Sequence, residues 1–293
     1  MKNLINYYYG LLIKNFKKKN DKFIFEVDNK NYEFVPFIGD INKFYNIYSV
    51  LIKTKNYCHE IVFNNNNSIL TNYNGKNYIL LKKNININRE LNIKEILAYD
   101  VPVYVSEKIG WKILWEQKID YYEYQMAQLS KKYNIIKNSF DYYLGLSENA
   151  INLLNYIDIN EVKTFISHKR IKENEKLDDF FNPLNIIIDS RTRDIAEYIK
   201  INFFNNNVIN IKELLEYLDK LNFNFSEMLL FFARLLYPSY YFDVYDDIIQ
   251  EKVNEESIKK YIEKNISYEI FLKDIYKYVK LKYRMPEIEW LEN

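Results

Sequence analysis

The chain has 293 residues, of which 48% are hydrophobic and 28% are charged. These shares are typical of a globular protein of about two domains and exclude a disordered or fibrous chain. The 41 basic and 40 acidic residues leave a formal net charge of +1. Because no excess of positive charge is available for a phosphate backbone or an anionic membrane, we expect neither nucleic acid nor a membrane as a partner.

Glycine, cysteine and histidine are scarce. The five glycines stand far apart, so the sequence contains neither the G-x-G-x-x-G turn nor the P-loop that cradles phosphates. Cys58 has no second cysteine, which excludes an intrachain disulfide and a cysteine-rich zinc site and fits a reducing cytoplasm. His59 is its neighbour, but adjacent residues of an extended chain point to opposite faces, so we expect no nucleophile–base pair.

Strand signals dominate residues 22–83. Segments 22–27 and 32–37 flank a polar turn at residues 28–31 and predict a hairpin. A helix is predicted over 42–55 from apolar residues at helical spacing. Further strands are expected at 60–63, 68–73 and 78–81, with a tight turn at Asn74-Gly75. The basic run at 14–19 favours a solvated loop.

The pattern becomes helical from about residue 93. Helices are predicted over 107–133, 142–155, 194–206, 211–219, 225–236, 240–249, 255–263 and 268–283. Ser147 is a predicted N-cap, and Pro238 is expected to separate two helices. Short extended stretches are expected between 161 and 189. The sequence thus divides into a strand-rich part, 1–90, and a helical part, 91–293.

Several segments, in their order along the chain, resemble one protein family. They are Tyr8-Tyr-Gly-Leu, WKILWEQKIDYYEYQ from Trp111, SFDYYLGLSENA from Ser139, His168-Lys-Arg, DFFNPLNIIIDSRTRDIAEYIK from Asp179 and LLYPSYYFDVYD from Leu235. Nearly the whole chain resembles the bacterial spore coat kinase-like proteins of the CotS and YutH type, which are related to aminoglycoside and choline phosphotransferases. The resemblance implies an α+β, bilobal protein-kinase-like (aminoglycoside phosphotransferase-like) fold, with the N-lobe in residues 1–90 and the C-lobe in 91–293.

Kinase chemistry needs a loop over the phosphates, a strand lysine, a helix glutamate, a catalytic aspartate and magnesium ligands. The predicted first hairpin turn, at 28–31, contains no glycine. By the resemblance, Val35 occupies the lysine position, and other registers offer only Glu33 or Pro36. The helix that begins at Asn42 contains no glutamate through Thr54. The N-lobe therefore lacks all three of its expected phosphate-handling parts.

The catalytic loop of the related phosphotransferases reads His-Gly-Asp, and this chain has His168-Lys169-Arg170 at that point. Arg170 cannot accept a hydroxyl proton, because a guanidinium stays charged. Asp179 and Asp189 are the candidate vestigial metal or cleft acids, with a loop-capping or solvated role as the alternative. His168 either packs the loop or forms an anion site with Lys169 and Arg170.

From these losses we expect a catalytically degenerate kinase-like protein of the spore coat that acts in coat assembly or binding. The resemblance implies coat proteins as partners, no cofactor, cytoplasmic synthesis in the mother cell, and a final place in the coat. The alternative is an active small-molecule phosphotransferase for a sugar, choline or an aminoglycoside-like substrate. Only this alternative requires ATP and magnesium.

Overall fold

The computed structural model describes residues 1–292 except 20, 54–57, 85–88, 105–108, 173 and 208. The chain forms two compact units. The first contains Met1–Asn92 and Asn174–Ile187, and the second contains Ile93–Glu173 and Ile188–Asn293. The predicted boundary at residue 90 divides the chain into two continuous parts. In the structure, the first unit also includes a separate segment, residues 174–187.

The first unit is built on an antiparallel sheet. Its strands are β1 (Phe16–Lys19), β2 (Lys22–Val27), β3 (Lys30–Pro36), β4 (Glu60–Val62), β5 (Thr71–Tyr73) and β6 (Lys76–Lys82). The strand order is β1-β2-β3-β6-β4, and β5 pairs with β6. Helices α1 (Lys2–Tyr9) and α2 (Ile41–Lys53) accompany the sheet. The predicted helix at 42–55 is thus confirmed, although Thr54 and Lys55 lie outside the described residues.

Both turns predicted from polar residues form. Asp28 and Asn29 join β2 to β3 with φ of 51° and 58°, a left-handed conformation that these side chains tolerate. Asn74 and Gly75 join β5 to β6 in the same region, with φ of 51° and 76°. The sequence therefore placed these hairpins correctly, because their turns depend on local backbone preference.

Part of the basic run forms a strand, contrary to the sequence prediction. Residues 14–19 were expected to form a loop, but Phe16–Lys19 form β1, which pairs with Lys22–Val27. All four residues of β1 are exposed, so no alternation of apolar and polar residues marks the strand. Lysines are typical of such edge strands, where they oppose further pairing. The first hairpin of the sheet is therefore β1–β2, and the turn at 28–31 belongs to the second.

The sheet buries one face against α1. The side chains of this core are Ile5, Ile13, Phe23, Phe25, Tyr32, Phe34, Tyr78 and Leu80. Phe34 and Tyr78 stack across β3 and β6 with ring centroids 4.6 Å apart. Since side chains alternate along a strand, Glu33 and Val35 lie on the opposite face of β3.

The second unit is mainly helical. Its helices are α3 (Ile93–Ala98), α4 (Trp111–Leu129), α5 (Asn134–Leu153), α7 (Thr192–Phe204), α8 (Ile211–Lys220), α9 (Phe225–Leu236), α10 (Ser239–Ile249), α11 (Lys259–Ile262), α12 (Asn265–Tyr283) and α13 (Glu289–Glu292). Helix α6 (Leu177–Phe180) belongs to the first unit. Strands β7 (Phe165–His168) and β8 (Ile186–Asp189) form a two-stranded sheet. Within the described ranges, each helix is too short or too polar to span a lipid bilayer.

Most predicted helices are confirmed within a few residues, and α9 has the predicted bounds. The start of α5 was predicted wrongly. It begins at Asn134 rather than near residue 142, and the predicted N-cap Ser147 lies inside it. The buried Ser147 hydroxyl donates to the Tyr143 carbonyl at 2.8 Å. The hydroxyl of a serine inside a helix can donate to a carbonyl oxygen of the preceding turn in this way. A serine in the sequence therefore does not by itself indicate the start of a helix.

Helix α9 is the centre of the second unit. Every residue from Ser226 to Leu236 is buried, and the helix packs against α5, α7 and α12. A capping box fixes its start: the Asn224 side chain accepts from the Glu227 N–H at 2.8 Å, and Glu227 accepts from the Asn224 N–H at 3.2 Å. This double cap fixes the residue at which α9 begins.

We expect Asn224→Ala to lower the free energy of unfolding by about 1–2 kcal/mol, because it removes a capping side chain from a buried helix. Urea unfolding followed by far-UV circular dichroism measures the change. Asn210→Ala is the matched control, since Asn210 caps the exposed start of α8 through a single bond from the Glu213 N–H at 3.2 Å. Equal losses in the two variants would contradict the central role of α9.

Candidate functional site

His168 ends strand β7 and is almost fully buried. Its backbone N–H donates to Asp194 Oδ1 at 2.9 Å, and its ring Nδ1 lies 2.7 Å from Asp194 Oδ2. Asp194 stands in the first turn of α7, where an acid is favoured by the helix dipole. The pair fixes both the backbone and the ring of His168, in keeping with the loop-packing interpretation.

Arg170 follows two residues later and forms a bidentate ion pair. Its Nε and NH2 atoms donate to the two carboxylate oxygens of Asp243, each at 2.6 Å. Burial acts to lower the pKa of Arg170, but the hydrogen bonds and charge of Asp243 raise it above its usual value. Arg170 is thus a firmly charged cation, and Asp243 is not free to act as a base.

Asp189 ends strand β8 and is only 4% exposed. Its Oδ1 accepts from Arg234 NH2 at 2.5 Å, from the Trp111 indole N–H at 2.9 Å and from the Ser190 N–H at 2.7 Å. Its Oδ2 accepts from Arg193 NH1 at 3.0 Å. Both oxygens are therefore occupied by donors, and two of those donors are arginines.

Magnesium binding requires open carboxylate oxygens, usually together with substrate phosphates. Asp189 does not fit this requirement, because its neighbours Arg193 and Arg234 are positive and already hold it. In the described part of the chain, no group of three or more His, Cys, Asp or Glu side chains is arranged to hold a metal ion. The residues around Asp189 form an ion-pair network rather than a metal centre.

A second buried ion pair lies on α7. Lys200, 1% exposed, contacts Glu197 at 2.7 Å and donates to the Arg234 carbonyl at 2.9 Å and to Ser239 Oγ at 2.6 Å. Burial acts to raise the pKa of Glu197, but Lys200, Arg170 and other cations lower it to about 2. Glu197 is therefore ionised at every physiological pH.

The ion pairs formed by Asp189, Arg170 and Lys200 line one cavity of about 440 Å³ within the second unit. The charged residues of its wall are Lys118, Arg170, Asp189, Arg193, Glu197, Lys200, Arg234 and Asp243. Its aromatic residues are Trp111, Trp115, Tyr121, Tyr237 and Phe242. A cavity of this size, with charged and aromatic walls, has the dimensions of a small-molecule site.

The first unit contains a different charged cluster. Val35 pairs with Ile79 of β6 and carries no charge, whereas Glu33, two residues earlier on the same face, is 4% exposed. Glu33 contacts Lys83 at 2.8 Å and Lys22 at 3.2 Å. Burial acts to raise the pKa of Glu33, but the two lysines hold it below its usual value. The buried charge of β3 is thus negative.

Asp178, on α6, completes this cluster. It forms an ion pair with Lys83, and its carbonyl oxygen lies 2.8 Å from His59 Nε2. The candidate acid Asp179 is the next residue and is exposed.

Burial raises the pKa of the Cys58 thiol to about 11, so the thiol is protonated at neutral pH and unsuited to nucleophilic attack.

The predicted site residues therefore divide between the units. Val35 and Asp179 belong to the first unit, and residues 168–170 and Asp189 belong to the second. The sequence interpretation missed Lys200 and Arg234, which carry much of the network. A signal was present, because each is a lone cation inside the apolar face of a predicted helix. Long cations are seldom fully buried unless they are paired.

We expect Glu197→Gln to lower the free energy of unfolding at pH 7 by roughly 3 kcal/mol, since it leaves Lys200 buried without its counter-ion. The pKa of Glu197 is lower in the folded chain, so its contribution is full above the unfolded pKa, near 4.5, and is lost as pH falls toward about 2. The difference from the wild type should therefore shrink between pH 5 and pH 2 in urea titrations. Glu216→Gln, at an exposed position of α8, is the control, and a deficit independent of pH would contradict the ion-pair role.

Comparisons with solved structures identify the fold. An aminoglycoside phosphotransferase from Alicyclobacillus acidocaldarius matches with a TM-score of 0.70 and 12% identity, covering 96% of each chain. A spectinomycin phosphotransferase, crystallised with ADP and spectinomycin, matches with a TM-score of 0.60 and 14% identity over 90% of this chain and 93% of the other. The predicted α+β, aminoglycoside phosphotransferase-like fold is confirmed.

Sequence comparisons identify the family. Residues 2–275 match the family model described as spore coat putative kinase YutH. The endospore coat-associated protein YutH of Bacillus subtilis (strain 168) is 28% identical over an alignment of 275 residues that covers 80% of each chain. The resemblance found in the sequence is therefore confirmed, and the chain belongs to the YutH family of kinase-like spore coat proteins.

Proposed function

We propose that this chain is a catalytically degenerate kinase-like protein of the spore coat, which acts by binding and assembly rather than by phosphoryl transfer. One observation carries the proposal. Asp189 ends strand β8 with both carboxylate oxygens held by donors, including Arg193 and Arg234. Phosphoryl transfer relies on carboxylates that hold magnesium against the phosphates, and a carboxylate neutralised by two arginines is poorly suited to that task.

Arg170 supports the same proposal. It stands where the family resemblance implies a catalytic aspartate, and it is a permanent cation paired with Asp243. A base at this point must take a proton from the substrate hydroxyl. Arg170 has no lone pair available for a proton, and the Asp243 oxygens are both used by the guanidinium.

The first unit gives independent support. The phosphates of ATP are held by a cation on the third strand of a kinase sheet. Here Val35 is uncharged, and the buried charge of β3 is the carboxylate of Glu33. Lys22 and Lys83 are engaged by Glu33, and Lys83 also contacts Asp178. We therefore propose that the chain uses no ATP, magnesium or other cofactor.

The place of action is proposed from the relative. The Bacillus subtilis protein is described as endospore coat-associated, and we extend this to the present chain. We propose synthesis in the mother cell cytoplasm, assembly into the coat, and other coat proteins as partners. The near-zero net charge agrees with binding to protein surfaces rather than to nucleic acid or anionic membranes.

ATP should therefore neither stabilise the chain in a magnesium-dependent manner nor be hydrolysed by it. Differential scanning fluorimetry with ATP, in the presence and absence of Mg²⁺, measures the first effect, and ADP release measures the second. We expect an unchanged Tm and no turnover above the buffer rate, because Asp189 lacks open oxygens for the metal.

Asp189→Asn and Asp179→Asn make a matched pair for this experiment. Asp189 lies in the buried network, whereas Asp179 is exposed on α6. Magnesium-dependent turnover that is abolished by Asp189→Asn and kept by Asp179→Asn would overturn the proposal and establish an active phosphotransferase. Turnover abolished by Asp179→Asn alone would also overturn it, and would identify Asp179 as the metal ligand.

Coat association can be tested in sporulating Bacillus subtilis. A fluorescent fusion of the full chain should form a ring at the forespore surface, and coat extracts should contain it. Since the proposed role is binding, Asp179→Asn should leave the ring unchanged. Diffuse fluorescence in the mother cell, together with intact fusion protein in the soluble fraction, would contradict the proposal.

A further inference from the structure

The cavity of the second unit has an unbalanced charge. Among the described residues that line it, five are cationic and three are carboxylates. Asp243 neutralises Arg170, and Glu197 neutralises Lys200. Asp189 is shared by two arginines, and Lys118 remains as the fifth cation. The wall therefore carries an excess of about two positive charges.

Lys118 is the accessible part of this excess. Within the described ranges it has no hydrogen-bond or ion-pair partner, and it lies on α4 at the cavity wall. Lys118 is exposed on the surface of the cavity, so the lowering of its pKa by partial desolvation and by the nearby cations Arg170 and Arg193, against Asp243 and Asp246, is reduced by solvent. An anion in the cavity would therefore meet an ammonium that can turn toward it and donate a charge-assisted hydrogen bond.

Two further donors on the wall are incompletely used. The Nε atom of Arg234 and the hydroxyl of Tyr237 are buried and have no hydrogen-bond partner in the described structure. Both residues are 6% exposed, and both line the cavity. The accessible surface of both atoms is close to zero, so a ligand in the cavity would meet the positive charge of the Arg234 guanidinium rather than bond directly to either atom. An anion would be stabilised by that charge.

The remaining wall is aromatic. Trp115 stacks on Tyr237 with ring centroids 4.5 Å apart, and Trp111 contributes a second indole. The Arg234 guanidinium lies 5.9 Å from the Trp111 ring and 5.8 Å from the Trp115 ring. Flat rings beside a guanidinium provide contact area for a planar group that also carries negative charge.

We propose that this cavity binds a small organic dianion that carries a planar ring. The excess positive charge of the wall predicts a ligand with about two negative charges. The aromatic side chains of the wall predict that the ligand also carries a planar ring. A cationic amino sugar is disfavoured, because it would meet five cations and only carboxylates that are already paired. The inference rests on the proposed function and deepens it by naming the ligand class of a binding protein.

Isothermal titration calorimetry of the full chain with phenyl phosphate and with phthalate tests the proposal. We expect at least one of them to bind about tenfold tighter than inorganic phosphate, a difference of about 1.4 kcal/mol that one aromatic contact can supply. Binding of phenyl phosphate alone assigns a phosphate ligand, and binding of phthalate alone assigns a dicarboxylate. Failure of both, or equal or tighter binding of benzylammonium, would overturn the proposal.

Lys118→Gln should weaken binding of the better dianion by about tenfold, the loss of a charge-assisted hydrogen bond. Lys112→Gln is the matched control, since Lys112 lies on the same helix, pairs with Glu116 and does not line the cavity. Equal affinities in the two variants would place the anion outside this cavity and contradict the proposal.

The two proposals fail separately. Magnesium-dependent ATP turnover would overturn the non-catalytic function but would leave dianion binding to be judged by the Lys118→Gln comparison. Absence of dianion binding, with no turnover and a normal coat ring, would overturn the ligand class alone.

Discussion

The burial of the Asp189 carboxylate is the constraint on which the second unit depends. A buried carboxylate costs several kcal/mol unless its oxygens are paired and hydrogen-bonded. Arg193, Arg234 and the Trp111 indole meet this cost from three different helices. The arrangement ties α4, α7 and α9 to the end of strand β8, so the position of Asp189 and the packing of the helices are specified together.

Arg193 extends this constraint to the loop after β7. Besides its bond to Asp189, it donates to the carbonyl oxygens of His168 and Lys169, each at 2.9 Å. The same guanidinium that neutralises the acid thus fixes the segment in which the family resemblance implies a catalytic base. A residue with both tasks cannot move aside for a metal without releasing the loop. This coupling gives the proposed loss of catalysis a structural basis.

The neutralisation of acids also explains the character of the cavity. Arg170–Asp243 and Lys200–Glu197 satisfy their own charges. For Lys200–Glu197, removal of one partner is costly because the other is left buried. The network therefore persists as a unit, with more cations than carboxylates. In the first unit, Glu33 pairs with Lys22 and Lys83, so the acid and the lysines neutralise one another.

The sequence by itself determined most of the secondary structure and the family. Periodicity found α9 and the β2–β3 hairpin, because the apolar face of a helix and the turn preference of Asp28 and Asn29 are local properties. It missed β1, whose four exposed residues form a strand only through hydrogen bonds to β2. The prediction that Arg170 stands where a catalytic acid is expected also came from the sequence.

Only the tertiary structure decided which charges meet. Asp189, Arg193 and Arg234 form one network, although Arg234 lies 45 residues beyond Asp189 along the chain. The sequence named Asp189 as a candidate acid but gave no sign that two arginines hold it. Spacing along a chain fixes the face on which a side chain lies, whereas its ionic partner depends on how helices pack. The charge state of a buried site is therefore a property of the folded protein.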